Sequence, residues 1–373
     1  MKNSLFHERI ARLLNETEIT FNGHEPHDIQ VHDERFYSRI LAQGPLGLGE
    51  SYMDGWWDCE RIDEMIARLQ HADIQKKLIP SISLLFDVIM ARIVNHQSKR
   101  RAFQIGEAHY DIGNDLYRIM LDARMTYTCG YWKHANTLDE AQEAKLDLVC
   151  RKLGLKPGQR ILDIGCGWGS FAKFAAEKYG VSVVGVTVSK NQVELGRKLC
   201  KGLPVEIRLQ DYRDVDEPFD HIVSLGMIEH VGYKNYATYF DVVNRCLKDD
   251  GLFLLHTIGS GETRHSTDQW IEKYIFPNSM LPSATQLMTA SERRFVMEDW
   301  HNFSADYDPT LMAWYHNIES RWAELAPHYS ERFHRMWRYY LLSCAGTFRA
   351  RKCQLWQIIF SKHGVPGGYA PVR

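Results

Sequence analysis

The sequence predicts an α/β fold built on a doubly wound, mainly parallel sheet of seven strands, with a small, mainly helical domain at the N-terminus. Two observations lead to this fold class. Short segments rich in β-branched residues alternate with helical patterns from residue 141 onward, and a glycine-rich turn joins the first of those strands to a helix. Strands that alternate with helices pair in parallel, because a helical crossover returns the chain to the same edge of the sheet.

The composition is that of an ordinary globular protein, since 45% of the 373 residues are hydrophobic and 25% are charged. The net charge of −2 gives no general attraction for nucleic acid, so no nucleic-acid partner is expected. The cysteines form no Cys-x-x-Cys pair and no zinc-like spacing with histidine, so no metal site is expected either. Free thiols, and an N-terminus without the apolar core of a signal peptide, predict a cytoplasmic protein.

Three regions follow one another along the chain. Residues 1–94 are predicted to form the helical N-terminal domain, residues 95–110 a polar and basic linker, and residues 111–373 the α/β domain. In the first region a glycine-rich stretch at 44–49 predicts turns, and a helical period over 58–69 predicts a helix. The apolar face of that helix comprises Ile62, Met65, Ile66 and Leu69.

Within the α/β domain, strands and helices can be placed from periodicity. The first strands are predicted at 160–164, 181–188, 205–209, 221–225 and 252–256. The helices around them are predicted at 141–153, 170–179, 191–200 and 236–247. A last pair of strands at 295–303 and 355–360 completes the sheet, with helices near 309–325 and 330–350 between them.

The segment 162–169, LDIGCGWG, follows a strand and opens a helix. Its glycines, Gly165, Gly167 and Gly169, leave the backbone amides at the helix N-terminus without side-chain bulk, which suits a ligand. The spacing Gly-x-Gly-x-Gly, with Asp163 inside the preceding strand, differs from the dinucleotide fingerprint and favours S-adenosylmethionine. The expected fold is therefore the Rossmann-like fold of class I methyltransferases. The alternative is a purely structural glycine turn.

The second strand of a dinucleotide site usually ends in a carboxylate that binds the ribose, whereas here it ends in VVGVTVSKNQ without one. Thr187 and Gln192 are the polar groups available at that strand end. Asp211 and Tyr212, after the third strand, are expected to meet adenine by a hydrogen bond and by stacking. The alternative for this pair is an aspartate that caps a turn, beside a tyrosine in the core.

Several segments resemble the cyclopropane fatty acid synthases, and together they cover nearly the whole chain. They are GLGESYMDGWW, HYDIGNDLY, MTYTCGYW, LDIGCGWGS, VGVTVSKNQ, GMIEHVG, FLLHTIG, YIFPNSMLPS and LMAWYHN. The first of them, in an additional N-terminal domain, resembles the bacterial branch that modifies phospholipids. The related mycolic acid enzymes are shorter and lack that domain.

The resemblance implies that the α/β domain is catalytic and transfers a methylene from S-adenosylmethionine to the cis double bond of an acyl chain in a phospholipid. It also implies a bound bicarbonate ion as the base that removes a proton from the new methyl group, so that a cyclopropane ring closes. The implied bicarbonate ligands are Cys129, Glu229, His256, Ile258 through its backbone, and Tyr307. Tyr127 and Thr128 are assigned to the cofactor, and Cys344 matches a family cysteine sometimes taken as catalytic.

The positions of Glu229 and His256 fit this chemistry independently. Glu229 follows the fourth strand and His256 ends the fifth, and the carboxyl ends of strands are where open α/β sheets bind ligands. Glu229 beside bicarbonate would place two anions in contact, so a raised pKa of the carboxyl group or a protonated His256 is required. The alternatives are a hydrogen-bonded core histidine and, for Cys344, an apolar helix cysteine, because the ring closure needs no thiolate.

A substrate held in a bilayer requires a docking surface on the protein. The apolar residues within 78–94 and the basic residues 99–101 suit an interfacial segment that meets phospholipid at the inner face of the membrane. The alternative is a helix that packs one domain on the other. Because Asp87 and Arg92 interrupt the segment, no membrane span is expected. The resemblance also implies a homodimer, which would add avidity for the surface.

Two other functions remain open from the sequence. One is a simple S-adenosylmethionine methyltransferase acting on an unsaturated lipid or a small molecule, and the other is a catalytically idle lipid-binding protein. The joint presence of Cys129, Glu229, His256 and Tyr307 favours the cyclopropane reaction over both.

Overall fold

The computed structural model describes residues 10–12, 14–74 and 113–373. The described residues form two compact units. The first unit combines those within Met1–Val94 with Ser266–Pro277 and Tyr307–Cys353, and the second combines those within Asn95–His265 with Asn278–Asp306 and Gln354–Arg373. The proposed linker and the proposed interfacial segment lie outside the described residues, so the boundaries at 94 and 110 stay predictions.

The elements follow in chain order. The helices are α1 (Arg35–Met53), α2 (Ile62–His71), α3 (Asn114–Met120), α4 (Leu138–Leu153), α5 (Ser170–Tyr179), α6 (Lys190–Leu199), α7 (Tyr236–Cys246), α8 (Gln269–Tyr274), α9 (Ala284–Ser291), α10 (Tyr307–Leu325) and α11 (Glu331–Arg349). The strands are β1 (Gln30–Val31), β2 (Trp57–Asp58), β3 (Arg160–Ile164), β4 (Ser182–Thr187), β5 (Val205–Leu209), β6 (Phe219–Leu225), β7 (Leu247–Ser260), β8 (Val296–Asn302) and β9 (Cys353–Ser361).

The second unit is built on a seven-stranded sheet with the order β5-β4-β3-β6-β7-β9-β8. Strands β5, β4, β3, β6 and β7 pair in parallel, and β8 pairs antiparallel with β9. The chain therefore winds outward from β3 in both directions, and the predicted α/β fold class is confirmed. The topological switch lies between β3 and β6, where an open sheet forms a crevice at the strand carboxyl ends.

Both faces of this sheet are buried, which explains why its strands are runs of apolar residues rather than alternating ones. Successive residues of β3 show the division, because Ile161 packs into one core cluster and Leu162 into the other. The helices have local stop and start signals as well. Thr137 and Glu140 form a capping box at the start of α4, and the Ser189 side chain caps α6.

The predicted turns at 44–49 are wrong, because these residues lie within α1. A single kink at Gly44, with φ 54 and ψ −131, interrupts the helix, and Pro45 begins its second part. Gly49 is required by close packing in the first unit. A Cβ at that position would lie 2.4 Å from the ring of Trp270. The short helices α3, α8 and α9, farther along the chain, were not predicted.

In the first unit the packing of α2 against α11 is equally close, since a Cβ at Gly346 would lie 2.2 Å from the carbonyl oxygen of Asp63. The Asp63 carboxylate is buried and accepts hydrogen bonds from Arg61 at 2.7 Å and from Arg349 at 2.6 Å. Arg349 also forms a two-pronged pair with Asp308 of α10. Among the described residues, no helix has both the length and the apolar character needed to cross a membrane.

Candidate active site

A cavity opens at the carboxyl ends of β3, β4 and β6 in the second unit. Its walls include nine of the ten residues predicted to bind the cofactor. These are Tyr127, Thr128, Asp163, Gly165, Gly167, Thr187, Gln192, Asp211 and Tyr212. The tenth, Gly169, does not line the cavity and instead forms the N-cap of α5 with φ 85. Nine of the residues assigned to the cofactor therefore line one cavity, whereas Gly169 begins the helix beside it.

The glycine loop gives the cavity its floor. Gly167 has φ 55, and a Cβ there would meet no atom within 4 Å, so a side chain would occupy open space at the cavity wall. Gly165 has φ 81, and its Cβ would lie 2.6 Å from Met227. These positive φ values favour glycine, and they leave the backbone accessible to a ligand. S-adenosylmethionine has no pyrophosphate group and would need to lie close to the backbone, and the loop leaves space for that approach.

Two buried charged residues stand behind the loop. Burial raises the pKa of the Asp163 carboxyl group to about 7, although the positive charge of Lys145 opposes this shift. Burial also lowers the pKa of the Lys145 ammonium group to about 8. The Lys145 Nζ donates a hydrogen bond of 2.7 Å to Thr128 Oγ1, so it anchors one residue of the cavity wall.

Lys145 was not predicted as a site residue, but the sequence carries a signal for it. It lies four residues after Ala141 and four before Val149, on the apolar side of α4, and it is fully buried. A lysine on a buried stripe needs a partner, since an unpaired buried charge is costly. His230 was also missed. It lines the cavity, and burial lowers its pKa to about 4, so it is neutral near pH 7.

The opposite wall is formed by pairs of polar side chains. Thr187 Oγ1 donates to Gln192 Oε1 at 2.7 Å. Asp211 accepts hydrogen bonds from the backbone and the guanidinium group of Arg213, so it caps the short turn that follows and also lines the cavity. Tyr212 packs edge-on against Tyr239 with ring centroids 5.5 Å apart. The two alternatives for Asp211 and Tyr212, ligand contact and local structure, are therefore compatible.

Glu229 and His256 lie close together at the carboxyl edge of the same sheet. His256 pairs with Leu225, the last residue of β6, and β7 continues past it to Ser260 rather than ending there as predicted. Glu229 lies in the short helical turn Ile228–His230 after β6. Its Oε1 accepts a 2.7 Å hydrogen bond from the backbone N–H of Ile258, two residues beyond His256.

Each of these two side chains has one buried polar atom without a hydrogen-bond partner in the described part of the chain. These atoms are Glu229 Oε2 and His256 Nε2. Burial raises the pKa of Glu229 to about 7 and lowers the pKa of His256 well below its ordinary value. A neutral carboxyl group and a neutral imidazole can each donate one hydrogen bond, so together they suit a small oxyanion such as bicarbonate. Two adjacent anions could be avoided by a raised pKa of the Glu229 carboxyl group or by a protonated His256. The pKa of Glu229 is raised, whereas the lowered pKa of His256 disfavours its protonation.

The remaining predicted ligands are distributed over both units. Cys129, in the second unit, is completely buried, and its Sγ lies 3.2 Å from the carbonyl oxygen of Gly130. The backbone N–H of Ile258 is engaged by Glu229, so its role is to orient that carboxyl group. Tyr307 begins α10 in the first unit, where its ring stacks on Phe348 with centroids 4.3 Å apart.

Cys344 lies on α11 in the first unit. Burial raises the pKa of its thiol well above the ordinary value, which disfavours the reactive thiolate. This environment supports the alternative of an apolar helix cysteine over a nucleophile.

A family model and individual relatives both match this chain, and they cover different lengths of it. Residues 97–358 match the family model of mycolic acid cyclopropane synthetase. The cyclopropane-fatty-acyl-phospholipid synthase of Escherichia coli strain K12 is 55% identical over 366 residues, which cover 98% of this chain and 96% of the relative. Cyclopropane mycolic acid synthase 2 of Mycobacterium leprae is 35% identical and covers 69% of this chain and 92% of its own length.

Solved structures are similar in the same region. The cyclopropane synthase MmaA2 from Mycobacterium tuberculosis matches with a TM-score of 0.66 at 33% identity, covering 70% of this chain and 98% of its own. The mycolic acid cyclopropane synthase CmaA1, complexed with SAH and CTAB, matches with a TM-score of 0.66 at 34% identity, covering 70% and 98%. The resemblance seen in the sequence motifs is therefore confirmed, and the chain belongs to the family of the cyclopropane synthases.

Proposed function

We propose that this protein transfers a methylene group from S-adenosylmethionine to the cis double bond of an unsaturated acyl chain in a membrane phospholipid, forming a cyclopropane ring. The observation that carries this proposal is the pairing of a glycine-loop cavity with two buried polar atoms, Glu229 Oε2 and His256 Nε2, that have no hydrogen-bond partner among the described residues. The 55% identity to the Escherichia coli phospholipid enzyme, over 98% of this chain, supports the same substrate class.

The cavity residues would hold S-adenosylmethionine, which supplies the one-carbon group when bound. The open space at Gly167 admits the ligand close to the backbone. Asp163 and the Thr187–Gln192 pair provide polar groups at neighbouring strand ends. Asp211 and Tyr212 form the end of the cavity assigned to adenine. Holding the donor in one orientation matters here, because an alkene is a weak nucleophile and depends on alignment.

We further propose that the chain holds bicarbonate, which accepts a proton when bound. Glu229 in its protonated form and neutral His256 would each donate a hydrogen bond to the ion, with Cys129 and Tyr307 as further ligands. Burial of both donors excludes water, which strengthens these hydrogen bonds and protects a reactive carbon centre from attack by water. The ion, rather than the buried carboxyl group, would then take the proton.

The direct test is to incubate the protein with vesicles of cis-unsaturated phospholipid and isotope-labelled S-adenosylmethionine, and then to weigh the acyl chains. We expect each modified chain to gain one CH₂ and to resist the hydrogenation that saturates an alkene. A labelled chain that is still hydrogenated would indicate simple methyl transfer, and unlabelled lipid would indicate a binding protein.

The base can be tested with Glu229→Gln, which keeps the shape of the side chain but presents a different donor. The rate should fall by a factor on the order of 10²–10⁴, the usual range for a disabled acid–base step. The affinity for S-adenosylmethionine, measured by calorimetry, should remain unchanged. Glu262→Gln, on an exposed pair with Arg264, is the matched control. A parent enzyme indifferent to the removal and return of bicarbonate would exclude this base.

We propose that the protein docks on the inner membrane surface as a homodimer, with residues 99–101 meeting anionic head groups. Each basic residue near such a surface contributes about 1 kcal/mol, so two copies of the cluster would bind more firmly than one. Reversing the charges at Lys99, Arg100 and Arg101 should weaken vesicle binding, most at low salt, and should affect activity on detergent-dispersed lipid less. Equal vesicle binding by the variant would contradict this role, and sedimentation would measure the oligomeric state.

A further inference from the structure

A glutamine in the middle of β9 contacts His256 at Nδ1, the ring nitrogen opposite to Nε2. Gln357 is completely buried, between the buried apolar residues Trp356 and Ile358. Its Nε2 lies 3.3 Å from the Nδ1 of His256. A buried amide costs free energy unless it is hydrogen-bonded, so a glutamine in this apolar strand calls for a reason. The sequence analysis did not single it out, although a polar residue within LWQIIF was a signal.

The contact couples the orientation of the Gln357 amide to the tautomer of the imidazole. A neutral histidine has one N–H and one acceptor nitrogen, and the hydrogen bond at one nitrogen fixes the state of the other. Burial, together with the positive charges of Lys145 and Lys152, keeps His256 neutral. The Gln357 amide N–H can donate only to an Nδ1 that bears no hydrogen. The hydrogen then lies on Nε2, the atom without a partner among the described residues.

We propose that Gln357 is a positioning residue that holds His256 in the Nε2–H tautomer, so that the histidine presents a hydrogen-bond donor to a bound oxyanion. This inference rests on the proposed function, because it assigns the orientation of one proposed bicarbonate ligand. The opposite amide orientation would make Gln357 Oε1 accept from Nδ1–H. His256 would then present a lone pair from Nε2 to the anion and repel it.

The needs of the proposed anion favour the donor orientation for a second reason. Glu229 contributes only one hydrogen through its Oε2, since its other oxygen already accepts from Ile258. An oxyanion at this site needs further donors, and a neutral His256 can supply one only as the Nε2–H tautomer. Gln357 therefore acts on the anion through His256 and does not touch it.

The first experiment reads the tautomer directly. The full-length protein, labelled with ¹⁵N at histidine, is observed by NMR, and the His256 signals are assigned by their loss in His256→Gln. We expect Nε2–H in the parent protein. In Gln357→Met, which keeps the length but removes the amide, both tautomers should be populated. In Gln357→Glu, the carboxylate should accept from Nδ1–H and reverse the tautomer. A parent protein in the Nδ1–H form overturns the inference without any variant.

The second experiment reads the consequence. In Gln357→Met the bicarbonate concentration that gives half-maximal rate should rise at least tenfold, while the KM for S-adenosylmethionine stays the same. Gln354→Met, the same substitution on the same strand, should change neither. If the parent depends on bicarbonate and Gln357→Met responds to it identically, the positioning role is wrong. If the parent ignores bicarbonate, the proposed base fails, but the NMR result still decides the tautomer.

Discussion

Glu229 Oε1 accepts a 2.7 Å hydrogen bond from the backbone N–H of Ile258, which fixes the carboxyl group of one strand end to the neighbouring strand. The neighbouring Thr257 hydroxyl donates to the Ile258 carbonyl oxygen at 2.9 Å and also lies close enough to the Glu229 carboxyl group to lower its pKa slightly against the larger effect of burial. Glu229 Oε2 is buried and has no hydrogen-bond partner in the described structure. The carboxyl group is held in place by a backbone hydrogen bond, and burial raises its pKa, which favours the neutral form.

This arrangement predicts a pH-dependent stability. The pKa of Glu229 rises from its ordinary value of 4.5 to about 7 in the folded protein. The stabilisation that protonated Glu229 gives the folded protein is fully present below the pKa that the group has in the unfolded chain. It is lost as the pH rises through the pKa of the folded protein, because the unfolded chain releases the proton first. Glu229→Gln cannot titrate. Its free energy of unfolding relative to the parent should therefore increase between about pH 4.5 and 7, by about 3 kcal/mol at ~1.36 kcal/mol per pKa unit.

Denaturant unfolding of both proteins at several pH values measures this difference. The exposed Glu262→Gln should give a constant difference from the parent across the same range. A Glu229→Gln variant whose stability runs parallel to that of the parent would show that the carboxyl group is ionised in the folded state.

Gly167→Val should abolish most of the affinity for S-adenosylmethionine, since the added side chain would occupy the open space at the cavity wall. Calorimetry should show a loss of at least about tenfold, which corresponds to ~1.4 kcal/mol. Gly154→Val is the matched control, because Gly154 also has a positive φ of 60 and open space around its Cβ but lies at the end of α4, away from the cavity. We expect the two variants to have similar melting temperatures but different affinities for S-adenosylmethionine. Equal affinities would show that the ligand does not bind at this loop.

Arg349→Met should destabilise the first unit. Asp63 is only 1% exposed and would lose one of its two guanidinium partners. A hydrogen bond to a charged group contributes roughly 1.5–3 kcal/mol, and the cost should reach at least that range, because Asp63 keeps Arg61 but Asp308 loses its two-pronged pair. Arg321→Met removes a comparable pair with Glu324 that is about half exposed, and it should cost less than about 1 kcal/mol. Equal losses in the two variants would mean that the buried pair contributes no more than a surface pair.

Cys344→Ala should retain most of its activity on unsaturated phospholipid vesicles. Burial raises the pKa of this thiol, and the proposed ring closure uses no thiolate. A thiol-alkylating reagent should correspondingly modify Cys344 slowly at neutral pH, since the thiolate is the reactive form. An alanine variant that binds S-adenosylmethionine normally but no longer turns over would restore a chemical role for this cysteine.

Local signals were sufficient for most of the second unit. The bounds of β3, α5 and β5 agree with the sequence prediction to the residue, because Gly165 follows β3, Gly169 and Gly180 flank α5, and Pro204 precedes β5. The stretch 44–49 was mistaken for turns because only Gly44 bends the chain, whereas Gly47 and Gly49 are needed for close contacts within the packed unit. Only the packed structure shows that Gly49 makes room for Trp270.

The site was predictable to a similar degree and for a related reason. Residues at strand ends, such as Asp163 and Glu229, follow from the order of strands and from the motifs. Lys145 and Gln357 do not, because Lys145 reaches the cavity wall through the packing of α4, and Gln357 reaches His256 from β9, a strand that is distant in sequence. Both are polar residues within apolar segments. The sequence therefore indicates that each has a hydrogen-bond partner, but it does not identify that partner.

The pairing of Leu225 with His256 has a consequence for how this segment can vary between related proteins. Successive side chains of β7 point to opposite faces of the sheet, so a shift of one residue would exchange His256 for Leu255 or Thr257. Insertions or deletions between Leu252 and His256, which pair residue by residue with β6, would therefore move His256 out of its position, whereas exchanges among the apolar residues there would not. Related proteins should therefore keep the length of this segment more strictly than its composition.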